Sequence, residues 1–342
     1  MLQSISSYFN PYYDRDFFGF FWVFIQRIWK LITGQLAFGE IVSDEIQIFV
    51  LVGVSCSAAL VGTFLVLKKM TMLANSISHT ILVGIVIAFI LTKRGFLGVS
   101  EDHDAINIEL MLVASLIMGV ITALMTEFLT KTVRLQEDAS TGLVFTTLFA
   151  VGIIMVTILT RNAHIGAEVV MGNVDALHFD DIKLIGFILV VNVILVTLLY
   201  KEYKITTFDP GLARALGYST TFFNYLLMIQ VSGTVVGAFR AVGVLMVLCF
   251  ITGPALIARL LTHNLRTMLL LSVCIGAGSS ILGVALSRHV LTVNGIALST
   301  AGVVVCTITT CYVVAVIFAP ERGLLNHWLH KRKLSARRGS LN

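Results

Sequence analysis

Apolar runs of about twenty residues recur along the chain, and that spacing decides most of what it can fold into. Each run is long enough to cross a hydrocarbon core of about 30 Å as a helix, which satisfies its own backbone hydrogen bonds where no water can. The runs fall at approximately 46–67, 71–91, 108–130, 141–160, 182–200, 219–237, 240–260, 266–286 and 294–318. Phe222–Ile257 could also be read as one very long helix. We place a break at Gly237-Ala238-Phe239-Arg240, because an arginine at mid-membrane is costly. Composition agrees: 57% of the 342 residues are hydrophobic and 13% charged, where soluble domains carry about a quarter charged residues. The expected fold is an all-α integral membrane protein with about nine transmembrane helices.

Residues before 46 follow a different plan. Phe17–Ile25 is apolar and aromatic, but Arg27 and Lys30 interrupt it short of a spanning length. It has neither a basic stretch before it nor a small-residue cleavage site after it, so it does not read as a signal peptide. An interfacial helix is expected here, with an additional span as the alternative.

One polar break has a helical plan of its own: Thr206–Gly217, TTFDPGLARALG. Asp209 can cap free N–H groups, and Pro210 suits a first helical turn. Leu212, Ala213, Ala215 and Leu216 give an apolar face, and Gly217 is placed to stop the helix. Such a short amphipathic helix at a membrane surface suits a docking element for a soluble partner; an ordinary interfacial helix carries the same pattern. If this loop is cytoplasmic and the spans alternate, the inner segments hold Lys68, Lys69, Lys131, Arg134, Lys201, Lys204, Arg214, Arg259, Arg266 and the six basic residues from Arg322 to Arg338. The outer side holds only Lys93, Arg94, Arg161, Lys183, Arg240 and Arg288. The bias places the C-terminus in the cytoplasm and accounts for the net charge of +5 without nucleic acid.

Ionisable residues inside spans are functional candidates by default. In Leu73–Gly84, LANSISHTILVG, Asn75 and His79 are four apart and share a helix face, with Ser76 and Thr80 on the adjacent strip. A neutral imidazole with a nearby carbonyl oxygen is a reasonable transient ligand pair for a divalent ion, and it is equally a histidine hydrogen-bonded to a neighbouring helix. Glu127 and Lys131 are spaced for an i,i+4 ion pair, and Asn192, Gln230 and Asn294 are candidates for interhelical hydrogen bonds. Small residues (Gly53/Ser57, Ala58/Gly62, and Gly276 to Ser280 with Gly283) mark close helix packing. The outer loops carry Glu101, Asp102, His103 and Asp104, then His164, Glu168, Asp175, His178, Asp180 and Asp181. These could attract cations, pair with a docking protein, or form a solvated rim. All five cysteines lie inside apolar runs, without disulfide or metal-ligand spacing. No phosphate-loop, HExxH or GxSxG pattern occurs, so no enzyme class is indicated.

Five segments in order resemble a known family. They are Gly62–Met70 (GTFLVLKKM), Met72–Phe89 around Ser78-His79, Gln136–Phe149 (QEDASTGLVFTTLF), Phe208–Gly217 (FDPGLARALG) and Ala241–Leu261 (AVGVLMVLCFITGPALIARLL). Together they resemble the membrane permease subunit of bacterial ABC importers for manganese, zinc or iron, the ABC-3 family, whose members are type II importer permeases. The resemblance divides the chain into an N-terminal extension (1–45), a permease domain (46–323) and a basic cytoplasmic tail (324–342). It implies a bacterial cytoplasmic membrane, a second permease chain, similar or identical, two cytoplasmic ATPase subunits and an extracytoplasmic metal-binding lipoprotein. It also implies no tightly bound cofactor. By the same resemblance, Asp209, Pro210, Leu212, Ala213, Arg214, Leu216 and Gly217 dock on the ATPase, and His79 with Asn75 lines the metal path. The family writes an aspartate where this chain has Asn75, which keeps an oxygen ligand but removes its charge. An asymmetric pairing, with the partner chain supplying the carboxylate, is expected; a vestigial site is the alternative. The family's Pro-Ser/Thr-Gly turn is Val293-Asn294-Gly295 here, with the glycine kept. A type II permease for a siderophore or cobalamin shares the fold, and a stand-alone secondary transporter is the reading from another class.

Overall fold

The computed structural model describes residues 11–12, 16–35, 40–93, 108–160, 174–319 and 323. Among them, nine helices are long and apolar enough to cross a membrane. In chain order the helices are α1 (Phe17–Ile32), α2 (Ser43–Lys68), α3 (Thr71–Lys93), α4 (Ile108–Thr132), α5 (Glu137–Thr160), α6 (Phe179–Leu198), α7 (Tyr200–Phe208), α8 (Pro210–Ala215), α9 (Thr220–Val242), α10 (Val244–Leu261), α11 (Leu265–Asn294) and α12 (Thr300–Phe318). The spans are α2 to α6 and α9 to α12.

The bundle is built around α2, which packs against α6, α9, α10 and α11. Lipid tails are as apolar as leucine, so close van der Waals fit and internal hydrogen bonds, rather than escape from water, hold such helices together. Small residues supply that fit. A Cβ at Gly62 would sit 1.9 Å from the backbone oxygen of Ile251 on α10. One at Gly283 would sit 2.4 Å from Val304 of α12, and one at Gly276 would sit 3.2 Å from Ser55 of α2. Hydroxyls stitch the same seams: Thr63 Oγ1 and Ser272 Oγ are 3.1 Å apart between α2 and α11. Around this core, α3, α4 and α5 form a second group, with α9 lying between the two.

Two expected boundaries move. The break expected at Gly237–Arg240 falls at Gly243, which has φ +77° and separates α9 from α10. Gly237 is instead a packing glycine, where a Cβ would fall 2.0 Å from Ile188 of α6. The eighth span runs on to Asn294, past the expected end at 286, and Gly295 closes it with φ +65°. The turn expected from that glycine is therefore present. Asn294 is exposed at this helix end and is not an interhelical bond.

The N-terminal segment is a helix but not a span. The sixteen residues of α1 reach about 24 Å at 1.5 Å each, short of a bilayer core. It lies against α11, with the Phe17 and His289 rings 6.0 Å apart. Arg27 ion-pairs with Glu45 at the start of α2 and donates to the Glu40 carbonyl at 2.7 Å, while Tyr12 donates to Glu45 at 2.8 Å. Burial, with the Glu45 carboxylate beside it, pushes the Tyr12 hydroxyl far above the usual phenol range, so it remains a donor. Phe18, Trp22, Ile25, Trp29 and Ile32 form an exposed stripe at helical spacing, with Phe20 and Phe24 buried opposite. This is the pattern of a helix lying in the membrane interface.

Candidate functional site

Two regions carry the residues singled out in the sequence: a polar face on α3 within the bundle, and the α7–α8 corner at one end of it.

The corner is held from inside and exposed outside. Asp209 Oδ1 accepts the Leu212 amide at 2.9 Å, which caps α8, and Pro210 occupies its first turn. Ala213 is fully buried and anchors the turn. Gly217, at φ +84°, turns the chain toward α9, whose Ser219 hydroxyl accepts the Phe222 amide. The expected apolar face is thus divided. Ala213 points inward, while Leu212 and Leu216, one turn apart, project outward with Phe208 of α7. Arg214 is also exposed, and its Nε donates to the Pro210 carbonyl at 3.2 Å. Exposed leucines on a capped, anchored helix form a small apolar knob with basic flanks.

A buried chain of hydrogen bonds leads from this corner into the bundle. Tyr203 of α7 donates to Gln230 Oε1 of α9 at 2.5 Å, and Gln230 reaches Asn192 Oδ1 of α6 at 3.4 Å. Asn192 Nδ2 lies 2.6 Å from Ser57 of α2 and 2.7 Å from Thr234 of α9. Burial pushes the Tyr203 hydroxyl well above the usual phenol range, so it remains a donor. Its ring packs against Phe64 and Phe223, at 5.2 and 6.0 Å. Asn192 and Gln230 were legible as interhelical bonds. Tyr203, which ties them to the corner, was not, because nothing in the spacing of Tyr200-Lys201-Glu202-Tyr203 indicates which tyrosine faces inward.

On α3, His79 is half-buried, and its ring sits 5.1 Å from Phe145 and 5.3 Å from Phe149 of α5, which stack on each other. Its Nδ1 is buried with no protein partner. Asn75, one turn earlier, is half-buried, and its side chain makes no hydrogen bond with a described residue. Among the described residues, no neighbouring helix offers His79 the hydrogen bond of the alternative reading. On the adjacent strip Thr80 lies 2.8 Å from Thr122 of α4, which ties α3 to α4, while Ser76 Oγ is buried without a partner. Among the described residues, no three His, Cys, Asp or Glu side chains converge as a metal cluster. A lone imidazole and an amide oxygen suit brief contact with a passing cation better than a resting site.

The remaining candidates among the described residues make local contacts. Glu127 and Lys131 form the expected ion pair. Of the acidic groups expected on the outer side, Asp175 accepts from Thr300 at 2.7 Å, Asp181 accepts the His178 amide at 2.9 Å and Asp180 meets Lys183 at 2.9 Å. Glu101 to Asp104, His164 and Glu168 lie outside the described residues.

The pattern that describes the ABC 3 transport family matches residues 45–319. The chain belongs to that family. A Chlamydia muridarum protein described as a probable metal transport system membrane protein is 38% identical over 327 residues, covering 95% of this chain and 99% of its own length. The Bacillus subtilis manganese transport system membrane protein MntD is 35% identical over 303 residues, covering 84% of this chain and 96% of its own. Among solved structures, PsaBC from Streptococcus pneumoniae in complex with Fab matches with a TM-score of 0.66 at 24% identity. That match covers 81% of this chain and 91% of the other, and it shows the fold. This ABC 3 family member is thus a multi-pass membrane component of an ABC transporter.

Proposed function

We propose that this chain is the permease of an ATP-driven importer for a divalent transition metal: manganese, zinc or iron. It works with a second permease chain, a pair of cytoplasmic ATPase subunits and an outer metal-binding lipoprotein, in a bacterial cytoplasmic membrane with its C-terminus inside. The observation that carries this reading is the α8 knob. In an ABC 3 family chain, a capped helix with Ala213 anchored and Phe208, Leu212 and Leu216 projecting is a surface built to be covered by a soluble partner.

The ATPase subunits, as they close on ATP, move α8. Tyr203, Gln230 and Asn192 transmit that movement to α9, α6 and α2, and the two permease chains alternate between outward and inward openings. The metal passes His79 and Asn75. The partnerless Nδ1 of His79 offers it an imidazole lone pair, and the aromatic rings of Phe145 and Phe149 limit the space around it. Imidazole and amide oxygen favour a bare borderline cation over a siderophore or cobalamin.

The test is to isolate the tagged chain from membranes that also express the ATPase. Co-isolation is expected for the wild type and loss of it for Leu212→Glu, which places a charge on the knob and leaves Ala213 in place. Retention of the ATPase by Leu212→Glu would refute α8 as the docking element.

A further inference from the structure

At the end of the bundle that carries α8, a cavity of about 440 Å³ opens between the α2–α3 turn, the end of α4, the start of α9 and the α7–α8 corner. Three lysines line it: Lys68, Lys69 and Lys131. Glu127, also in its wall, is ion-paired with Lys131 and so offsets only one of them. Lys68 is half-buried, and its ammonium donates to the neutral Asn224 amide oxygen at 2.5 Å. Among the described residues, no carboxylate lies within ion-pair distance of Lys68 or Lys69. The Thr207 hydroxyl of the same wall is buried without a partner.

A partly buried ammonium held only by an amide is costly unless an anion completes it. We propose that this cavity is a binding site for a phosphate-bearing anion, with Lys68 and Lys69 supplying the charge and Thr207 a hydroxyl donor. The volume lies in the range of small-molecule sites and exceeds what one carboxylate side chain would fill. The two uncompensated ammonium groups repel a divalent cation, so the cavity is not a stop for the transported metal. Phe128 of α4 and Phe222 of α9 expose apolar surface on the helices that form its walls. An anionic phospholipid could therefore place its headgroup between these helices with its chains alongside them. Anion binding by these lysines does not depend on the transport reading, which would only place the cavity at the inner leaflet.

The test is native mass spectrometry of the full chain in non-ionic detergent, titrated with phosphatidylglycerol, phosphatidylcholine or inorganic phosphate. Wild type is expected to retain one phosphatidylglycerol in preference to phosphatidylcholine. Lys68→Gln or Lys69→Gln should weaken that binding about fivefold, and the double variant about thirtyfold. Lys183→Gln, at the opposite end, should leave it unchanged. Asn224→Asp, which places a carboxylate beside Lys68 and keeps both lysines, should weaken it likewise. It therefore controls for misfolding of the lysine variants. Binding that inorganic phosphate cannot displace assigns the site to lipid, and displacement by millimolar phosphate assigns it to a soluble phosphate compound. Equal retention of the two lipids with no phosphate binding overturns the proposal. So does unchanged binding in the double variant. If the double variant loses the ATPase while its anion binding is unchanged, the lysines serve a protein carboxylate and the proposal also fails.

Discussion

At the scale of single residues, the chain carries polarity rather than charge on the face of α3 along which metal is proposed to pass. Asn75 presents an amide oxygen where the resemblance expects a carboxylate, and no described residue engages it. Restoring the charge should strengthen attraction for a divalent ion. Asn75→Asp is expected to lower the metal concentration for half-maximal uptake at least about fivefold, as ~1 kcal/mol of added attraction would give. Uptake measured against metal concentration checks this; an unchanged curve would mean the cation does not pass Asn75. The shared face of Asn75 and His79 was legible from their spacing alone. The covering rings of Phe145 and Phe149 were not, because they come from α5 and depend on how α3 and α5 pack. Gly62 sits so close to the Ile251 carbonyl that Gly62→Ala must push α2 and α10 apart. The expected cost is about 1–3 kcal/mol, read as a lower unfolding midpoint of the purified chain.

At the scale of elements, the spans were legible because each must carry enough apolar length to cross a bilayer. Their breaks were harder to read. Gly237 and Gly243 are both plausible stops in the sequence, and only packing separates them: Gly237 lets Ile188 approach, whereas Gly243 takes a positive φ. The α8 corner was legible through Asp209, Pro210 and Gly217. The helix before it, α7, was missed, since Tyr200–Phe208 is polar and continues almost directly from α6. Yet α7 carries Tyr203, the start of the internal hydrogen-bond chain. Tyr203→Phe keeps the ring against Phe64 and Phe223 and removes only the donor to buried Gln230. It should cost about 1–3 kcal/mol of stability and reduce the metal transported per ATP hydrolysed. Parallel uptake and hydrolysis assays check this, and an unchanged ratio would mean that coupling bypasses this chain of bonds.

At the scale of the whole molecule, the two ends of the bundle differ in kind. One end gathers α8 with Lys68, Lys69, Lys131 and Arg266, whose guanidinium lies over the Tyr200 ring at 5.6 Å. The other holds α1, the Arg27–Glu45 pair and Asp175 bonded to Thr300. We propose that the end carrying α8 and these basic groups is the cytoplasmic one, as the positive-inside bias of the sequence expects. The path between them is proposed to run beside α5, whose Leu143, Val151, Ile154 and Ile158 are exposed and are proposed to meet the second chain. The account's central claim is that metal passes His79 while ATP acts through α8. The most direct test is metal uptake by the complete reconstituted importer, with ATP hydrolysis followed in parallel. His79→Ala is expected to abolish uptake while hydrolysis persists; full uptake by His79→Ala would contradict the claim.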